Sequence, residues 1–350
     1  MKGAGRSTSW LSMLAEAEAE ARPDDFRPAA PWDNLRLRSK LLRRVRDFFD
    51  QRGFLEVETP ILSADVVVDR HLDPFSLALD EGVTQPDGAN AGRRLWLQTS
   101  PEFAMKRLLA TGAEAIYQIT RAFRQEERGP LHNPEFTIVE WYRTGDGMEE
   151  GMTLLSDLAE VLLEGGPAER ISYREAFERH VGIDPHTADA ETLAAVTQKH
   201  QIEVPAGLRA DDRDGWLDLL MAERVGPYLG HHRPVIVYDY PAGQAALARV
   251  RPDDPPVAER FELFAAAMEL ANGYHELLDA DELRRRNTEV NRLREADGKR
   301  RLPESSRLLA AMDAGLPAST GVALGFDRVV MLAAGAKRLD EVIAFPFERA

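Results

Sequence analysis

Three stretches of this sequence carry residue types that do chemistry, at spacings that keep them together. The first, 120–142, reads T-R-A-F-R-Q-E-E-R-G-P-L-H-N-P-E-F-T-I-V-E-W-Y. The turn formers Arg128-Gly129-Pro130 and Asn133-Pro134 predict an antiparallel hairpin with a polar loop. Because side chains alternate faces along a strand, Arg124 and Glu126 share a face on the first arm, and Phe136, Ile138, Glu140 and Tyr142 share one on the second. Thr137, Val139 and Trp141 form the opposite face, apolar enough to bury. One side then presents a guanidinium, two carboxylates and two rings, a candidate binding surface for a charged ligand. The second stretch, E-L-A-N-G-Y-H-E at 269–276, sets two carboxylates seven apart, and the third, G-V-A-L-G-F-D-R at 321–328, sets glycines ahead of Arg328. Taken singly, each has a plain structural reading. Arg124 and Glu126 could be an ion pair worth under ~1 kcal/mol, Phe136 could be core, Glu269 and Glu276 could face solvent, and the glycines could mark a tight turn before a helix.

Composition bounds what these residues can serve. The chain has 350 residues, 44% of them hydrophobic, enough for one large domain or two ordinary ones. Charged residues make up 29%, and there is no apolar run of about 18 residues, so no membrane span is expected. The N-terminus lacks the apolar core of a signal peptide and there is no cysteine, which makes a cytoplasmic location the default. Zero cysteines exclude thiolate metal sites, disulfides and a cysteine nucleophile. A net charge of −15 opposes non-specific binding to nucleic acid, which depends on cationic groups.

Positioning the reactive residues falls to helices and short strands. Residues 1–33 read as a loosely held extension, with a short helix over 15–21 and prolines at 23, 28 and 31. Over 35–52 the apolar residues follow the helical period, and the basic ones among them read as a solvated face. Gly53 ends that helix, and 54–60 alternates as a strand stopped by Pro60. A loop rich in Gly, Pro and Asn covers 80–94. Residues 95–98 form a strand running into T-S-P-E at 99–102, an N-cap signal for a helix from Glu102 to about 111. Met148–Leu163 is an amphipathic helix, 172–229 is largely helical, and 148–229 together read as a helical insertion. Residues 234–240 and 260–270 read as strands, 282–294 as a basic helix, and another helix opens at Asp327. Strands are numerous and often separated by short turns, so the expected class is α+β, a mainly antiparallel sheet flanked by helices.

Taken together and in order, the stretches become specific. F-L-E-V-E-T-P at 54–60, F-R-Q-E at 123–126 with H-N-P-E-F at 132–136 and E-W-Y at 140–142, and G-F-D-R at 325–328 resemble motifs 1, 2 and 3 of the class II aminoacyl-tRNA synthetases, the lysyl group above all. The resemblance runs from about residue 34 to the end. It implies the class II catalytic fold over 34–350, a homodimer formed through motif 1, and activation of a carboxylic acid by ATP. Fixed cations suit that reaction, because negative charge builds on the oxygens around the α-phosphorus. By the same resemblance Arg124 and Arg328 are catalytic. Arg124, Gln125, Glu126, His132, Asn133, Phe136, Glu269, Leu270, Gly325 and Arg328 are implied to hold the nucleotide, with Phe136 under the adenine and Arg328 stacking from the other side. Ser100, Pro101, Glu102, Glu140, Tyr142, Glu276 and Ala323 fall to the amino acid, since ammonium groups need carboxylates and an aromatic wall. Glu269 and Glu276 match carboxylates that hold Mg²⁺ in the family.

Departures from the lysyl enzymes point further. Those enzymes carry an N-terminal anticodon-binding barrel, whereas about 33 residues precede the catalytic domain here, so neither an anticodon-binding domain nor a tRNA partner is expected. A shortened paralogue of this kind resembles the elongation factor P lysine ligases, which activate (R)-β-lysine and transfer it to a lysine of elongation factor P. M-E-L-A-N-G-Y-H-E-L at 268–277 and V-A-L-G-F-D-R-V-V-M-L-A-A-G-A at 322–336 fit that subgroup. Ala323 stands where lysyl enzymes usually have glycine, and Leu278 where they usually have asparagine. One methyl in a tight pocket is worth ~1 kcal/mol or more, enough to reweight two isomeric amines. Gln125 departs from the asparagine common at its place in motif 2. Two alternatives stay open: a truncated lysyl-type enzyme activating α-lysine, and a non-catalytic synthetase-like regulator. The arginines of 284–307 read either as a solvated helix or as a docking patch for an acidic acceptor protein.

Overall fold

The computed structural model of the chain describes residues 26–78 and 94–350. The expected helix over 15–21 and most of the loop over 80–94 lie outside the described residues. The first helix, α1 (Trp32–Asp50), begins behind Pro31 and turns Leu41, Val45, Phe48 and Phe49 into the core at helical spacing. The chain is already packed ahead of it. Ala30 is buried and the Ala29 N–H donates to the Ala344 carbonyl (2.8 Å), so the loose extension expected through residue 33 ends by residue 29. Nor is the basic face of α1 wholly solvated, because Arg38 binds the Asp327 carboxylate at 2.6 Å and the Thr137 hydroxyl at 2.7 Å.

The strand expected over 54–60 shrinks to β1 (Leu55–Glu56). Then β2 (Leu62–Ser63), β3 (Ser76–Ala78) and β4 (Arg94–Leu97) form a small antiparallel sheet in the order β2-β4-β3. Helix α2 (Glu102–Leu109) leads to β5 (Ala115–Phe123), β6 (Glu135–Thr144) and helix α3 (Met148–Leu163). Strand β7 (Glu169–Ser172) opens a run of helices, α4 (Tyr173–His180), α5 (Ala190–Lys199) and α6 (Arg213–Leu220). There follow β8 (Val235–Pro241), β9 (Val250–Arg251), β10 (Val257–Ala265) and β11 (Met268–His275). Helices α7 (Ala280–Ala296) and α8 (Arg307–Gly315), strand β12 (Ser319–Gly325) and helix α9 (Phe326–Ala334) complete the order.

The main sheet runs β1-β5-β6-β12-β11-β10-β8-β7, with β9 beside β10. Its pairs are antiparallel except at the two ends, where β1 lies parallel to β5 and β7 parallel to β8. The α+β class and the mainly antiparallel sheet therefore hold. Residues 260–270, expected as one strand, are parts of two. Ala266 and Ala267 adopt left-handed φ values of 49° and 62° and close a tight hairpin between β10 and β11.

One face of the sheet is sealed by α1, α3 and α9 through a core that includes Phe49, Trp141, Leu155, Phe261, Val322 and Val330. Helix α3, expected to open an insertion over 148–229, belongs to this core. The other face has two separate covers. Helices α4 to α6 pack over β8 and β10 through Tyr173, Phe177, Trp216, Val237 and Tyr240. Helices α2, α7 and α8 pack beside β5 and β6 through Phe103, Ile116, Tyr142, Leu283 and Met312. Between the two covers, β6, β12 and β11 floor a groove. Arginines at the start of α7 are engaged: exposed Arg284 pairs with Asp281 and Asp313, and exposed Arg285 and half-buried Arg286 share Glu282. These are the ion pairs of a solvated helix face.

Candidate active site

Register across the three floor strands fixes which side chains meet. Glu140 of β6 lies opposite Ala323 of β12, which lies opposite Asn272 of β11. One step along, Tyr142 is opposite Gly321 and Gly321 opposite Tyr274. Directly opposed residues share a face, so these form two adjacent rows on the groove floor. Gly321 is required there, because a methyl group at that position would run into the Tyr142 ring and the Glu276 carboxylate.

Glu269 and Glu276 reach the same groove by an irregularity. Positions seven apart on a regular strand point to opposite faces. Pairing of β10 with β11 slips between Leu263–Ala271 and Phe264–Glu269, which leaves Leu270 as one extra residue. This bulge buries Leu270 in the apolar core and turns Glu269 into the groove, near Glu262, Arg328, Arg260 and Arg124. The two carboxylates thus share a face but are separated by roughly 20 Å of strand. Glu269 and Glu276, the carboxylates expected to hold Mg²⁺, therefore stand toward opposite ends of the groove.

At the Glu276 end the groove is lined by buried charge. Glu140 and Glu276 are 0% and 1% exposed, and Glu102, from the first turn of α2, is 8% exposed. The Ser100 hydroxyl donates to Glu140 Oε1 (2.6 Å), the Tyr142 hydroxyl donates to Oε2 (2.9 Å), and Ser100 Oγ also caps α2 by accepting the Glu102 N–H (3.0 Å). Pro101 begins that turn. Lys106, one turn after Glu102, places its ammonium 2.5 Å from both the Glu102 and the Glu276 carboxylates. Apart from that ion contact, the Glu276 carboxylate oxygens have no hydrogen-bond partner, and Asn272 Oδ1 is likewise buried without one. Burial, with Glu102 nearby, pushes Glu140 up to about 7. Burial, offset in part by Lys106, pushes Glu276 up to about 8. Buried acceptors facing a groove suit ammonium groups, each of which must replace its lost water with charge-assisted bonds. Sequence reasoning missed Lys106, Asn272 and Tyr274. The helical i, i+4 spacing from Glu102 and the two-residue period back from Glu276 were the signals that pointed to them. Leu278, by contrast, lies behind the pocket, packed on the core of Phe103 and Leu308.

The other end carries cations and a ring. The Arg124 N–H donates to the Pro134 carbonyl (2.9 Å), one step beyond the last pair of β5 and β6. Its guanidinium lies 4.9 Å from the Phe136 ring centre and 3.3 Å from Glu127, and its Nε is buried without a partner. Glu126 does not share that face as strand alternation predicted: it sits in the loop at a left-handed φ of 63°, exposed. Gln125 anchors the loop by donating its N–H to the Asp73 carbonyl (2.7 Å). Arg328, in the first turn of α9 after Gly325, donates to the Glu269 carbonyl (2.9 Å) and meets His132 Nε2 at 2.5 Å. Burial and the Arg328 charge hold His132 below its usual range, so it accepts there as a neutral ring. Asn133 is buried and pins the loop, donating to the Glu135 carbonyl (2.5 Å) and accepting the Phe347 N–H (3.0 Å). Asp327 is buried behind the floor, where it accepts the Thr137 N–H (2.8 Å) and holds Arg38.

The chain is similar to known proteins along almost its whole length. Residues 15–349 match the model of the tRNA synthetases class II (D, K and N). The chain is 48% identical over 326 residues to the elongation factor P–(R)-β-lysine ligase of Edwardsiella ictaluri, covering 93% of this chain and 98% of that protein. It is 47% identical to the proteins of the same name from Klebsiella pneumoniae, over 325 residues, and Erwinia tasmaniensis, over 324, with the same coverage. By its mainly antiparallel sheet, its groove and its match over almost the whole length, the chain belongs to the class II tRNA synthetase family, the D, K and N branch that matches its sequence.

Proposed function

We propose that this protein is an ATP-dependent ligase that activates (R)-β-lysine as its adenylate and passes it to the ε-amino group of a lysine on elongation factor P. The relatives named for that activity, at 47–48% identity over nearly their whole length, support the choice of substrates. The observation that carries the reading is the polarity of the groove. Three buried carboxylates gather at one end, and Arg124, Arg328 and a partly exposed Phe136 ring stand at the other.

In the first step the β-lysine carboxylate attacks the α-phosphorus of ATP, the bond to the β-phosphate breaks, and pyrophosphate leaves. Arg124 exchanges its contact with the Phe136 ring for the α-phosphate and the attacking carboxylate, which frees the ring face for adenine. Arg328 and His132 meet the outer phosphates, while Gln125, Glu126, Asn133, Leu270 and Gly325 shape the nucleotide pocket. Glu102, Glu140 and Glu276 receive the two ammonium groups, with Ser100, Pro101 and Tyr142 completing the wall. Ala323, opposite Glu140 in register, narrows the floor and favours an amine on the β carbon. In the second step a neutral lysine ε-amine attacks the adenylate carbonyl, the bond to AMP breaks, and an amide forms.

The donor set suits Mg²⁺ carried in on the triphosphate. Glu269 is open to solvent in the groove and offers a hard oxygen to which phosphates and water can be added, whereas Glu276 is engaged by Lys106. When bound, the ion neutralises charge on the phosphates. The catalytic unit runs from α1 to the C-terminus, with β7 to α6 inserted in it. Exposed Trp32 and Leu55, on α1 and β1, suit a homodimer contact. The acidic net charge favours a protein acceptor over tRNA, and among the described residues no helix is long and apolar enough to cross a membrane. Cytoplasmic action follows from the partners.

(R)-β-lysine-dependent exchange between ATP and pyrophosphate tests the first step. The unaltered protein exchanges, and Arg124→Ala lowers the rate by ~100-fold or more, the scale seen when one donor to a developing charge is removed. Exchange that survives in Arg124→Ala, or that is absent from the unaltered protein, contradicts the reading.

A further inference from the structure

Lys106 is a buried ammonium at the amine end of the groove, only 2% exposed. It lies 2.5 Å from the carboxylates of Glu102 and Glu276. Glu140, the third buried carboxylate, is met by the neutral hydroxyls of Ser100 and Tyr142. Arg249 reaches Glu276 at its backbone carbonyl (2.8 Å), not at its carboxylate. The Arg124 guanidinium lies on the Phe136 ring and pairs with Glu127. Once all three are ionised, as an ammonium ligand requires, three carboxylates against one ammonium leave two negative charges among buried side chains. A net charge buried in that way is costly unless a partner of equal and opposite charge arrives.

We propose that Lys106 sets the charge of the amine pocket at two negatives, so that it is matched by a carboxylic acid bearing two ammonium groups and mismatched by acids bearing one. The inference rests on the ligase reading above. Lys106 acts through its neighbours and is a positioning residue: it neutralises one of the three carboxylates and holds Glu102 and Glu276 together against their mutual repulsion. The i, i+4 spacing on α2 keeps its ammonium on the Glu102 side, where it is buried. A diammonium acid then leaves the pocket neutral. An acid with one ammonium leaves a buried negative charge without a partner.

The test compares the unaltered protein with Lys106→Met, Glu102→Gln and the double variant, using pyrophosphate exchange driven by 3,6-diaminohexanoic acid (β-lysine), 3-aminohexanoic acid or 6-aminohexanoic acid. Thermal melts check folding. Lys106→Met lowers kcat/KM for the diamino acid by ~100-fold, as expected when a buried charge loses its partner. Adding Glu102→Gln to it restores the charge and recovers roughly tenfold, a coupling opposite in sign to two independent losses. Glu102→Gln alone, with one negative charge left, narrows the preference for the diamino acid over the monoamino acids by about tenfold. A double variant no better than Lys106→Met overturns the proposal. If Lys106→Met does not fold, the ratio in Glu102→Gln decides, and an unchanged ratio overturns it. Unaltered protein that exchanges equally well with a monoamino acid overturns charge matching and leaves the ligase chemistry standing. Protein inactive with all three acids overturns both.

Discussion

Glu140 and Glu276 hold their protons far longer than carboxylates in water, up to about pH 7 and 8, because burial strips them of solvent and Glu102 repels them. An acid with a raised folded-state pKa binds more protons folded than unfolded. Its contribution to stability therefore declines as pH rises from its usual value through the raised one. An ammonium ligand needs the ionised carboxylates, so its binding strengthens over the same rise. Thermal melts between pH 6 and 8.5 should show the ligand-free midpoint falling and the increase given by (R)-β-lysine growing. An increase that shrinks with rising pH contradicts this assignment. Most of these side chains could be found in the sequence because motif residues of the right type stand in the right order. Their partners were harder to read: the i, i+4 spacing sets Lys106 beside Glu102 but does not mark it as buried, and nothing local shows that Glu127, rather than Glu126, meets Arg124.

At the scale of elements, a fully buried guanidinium holds the groove's edge. Arg294 of α7 is 1% exposed, pairs with Asp73 at 2.6 Å, and donates to the carbonyls of Asp69 (2.7 Å) and Leu72 (3.0 Å). The Asp73 carbonyl in turn takes the Gln125 N–H, so α7, the 69–73 loop and the Arg124 loop form one connected piece. Arg294→Met should cost ~3 kcal/mol or more, since it leaves Asp73 with only Lys299 and several carbonyls without a donor. Chemical denaturation measures this, and a loss under ~1 kcal/mol would show the connection to be slack. Elements with strong local signals were legible in the sequence: Met148–Leu163 by its period, α2 by its T-S-P-E start, and the 124–134 loop by glycine, proline and asparagine. The β10–β11 hairpin was not, because two alanines make its turn and alanine carries no turn signal. The Leu270 bulge was equally hidden. Such a slip in pairing depends on the neighbouring strand, and it decides where Glu269 points.

For the whole molecule, the sheet divides labour between its faces. One is sealed by α1, α3 and α9. The other is left open between two helical covers, and the open strip is where motif residues from β6, β11 and β12 meet. The overall class was readable in the sequence because many short strands with short turns favour an antiparallel sheet. The division of covers was not, because it depends on contacts between segments far apart in the chain. The proposed function draws on both scales, on the groove for activation of a diamino acid and on the net charge of −15 for a protein acceptor. The most direct measurement of the central claim is the intact mass of elongation factor P after incubation with this protein, ATP, and (R)-β-lysine or α-lysine in parallel. The account predicts a gain of one lysyl unit on elongation factor P, larger with the β isomer, and no gain without ATP. No gain with either isomer, from protein that is folded and supplied with ATP, would contradict it.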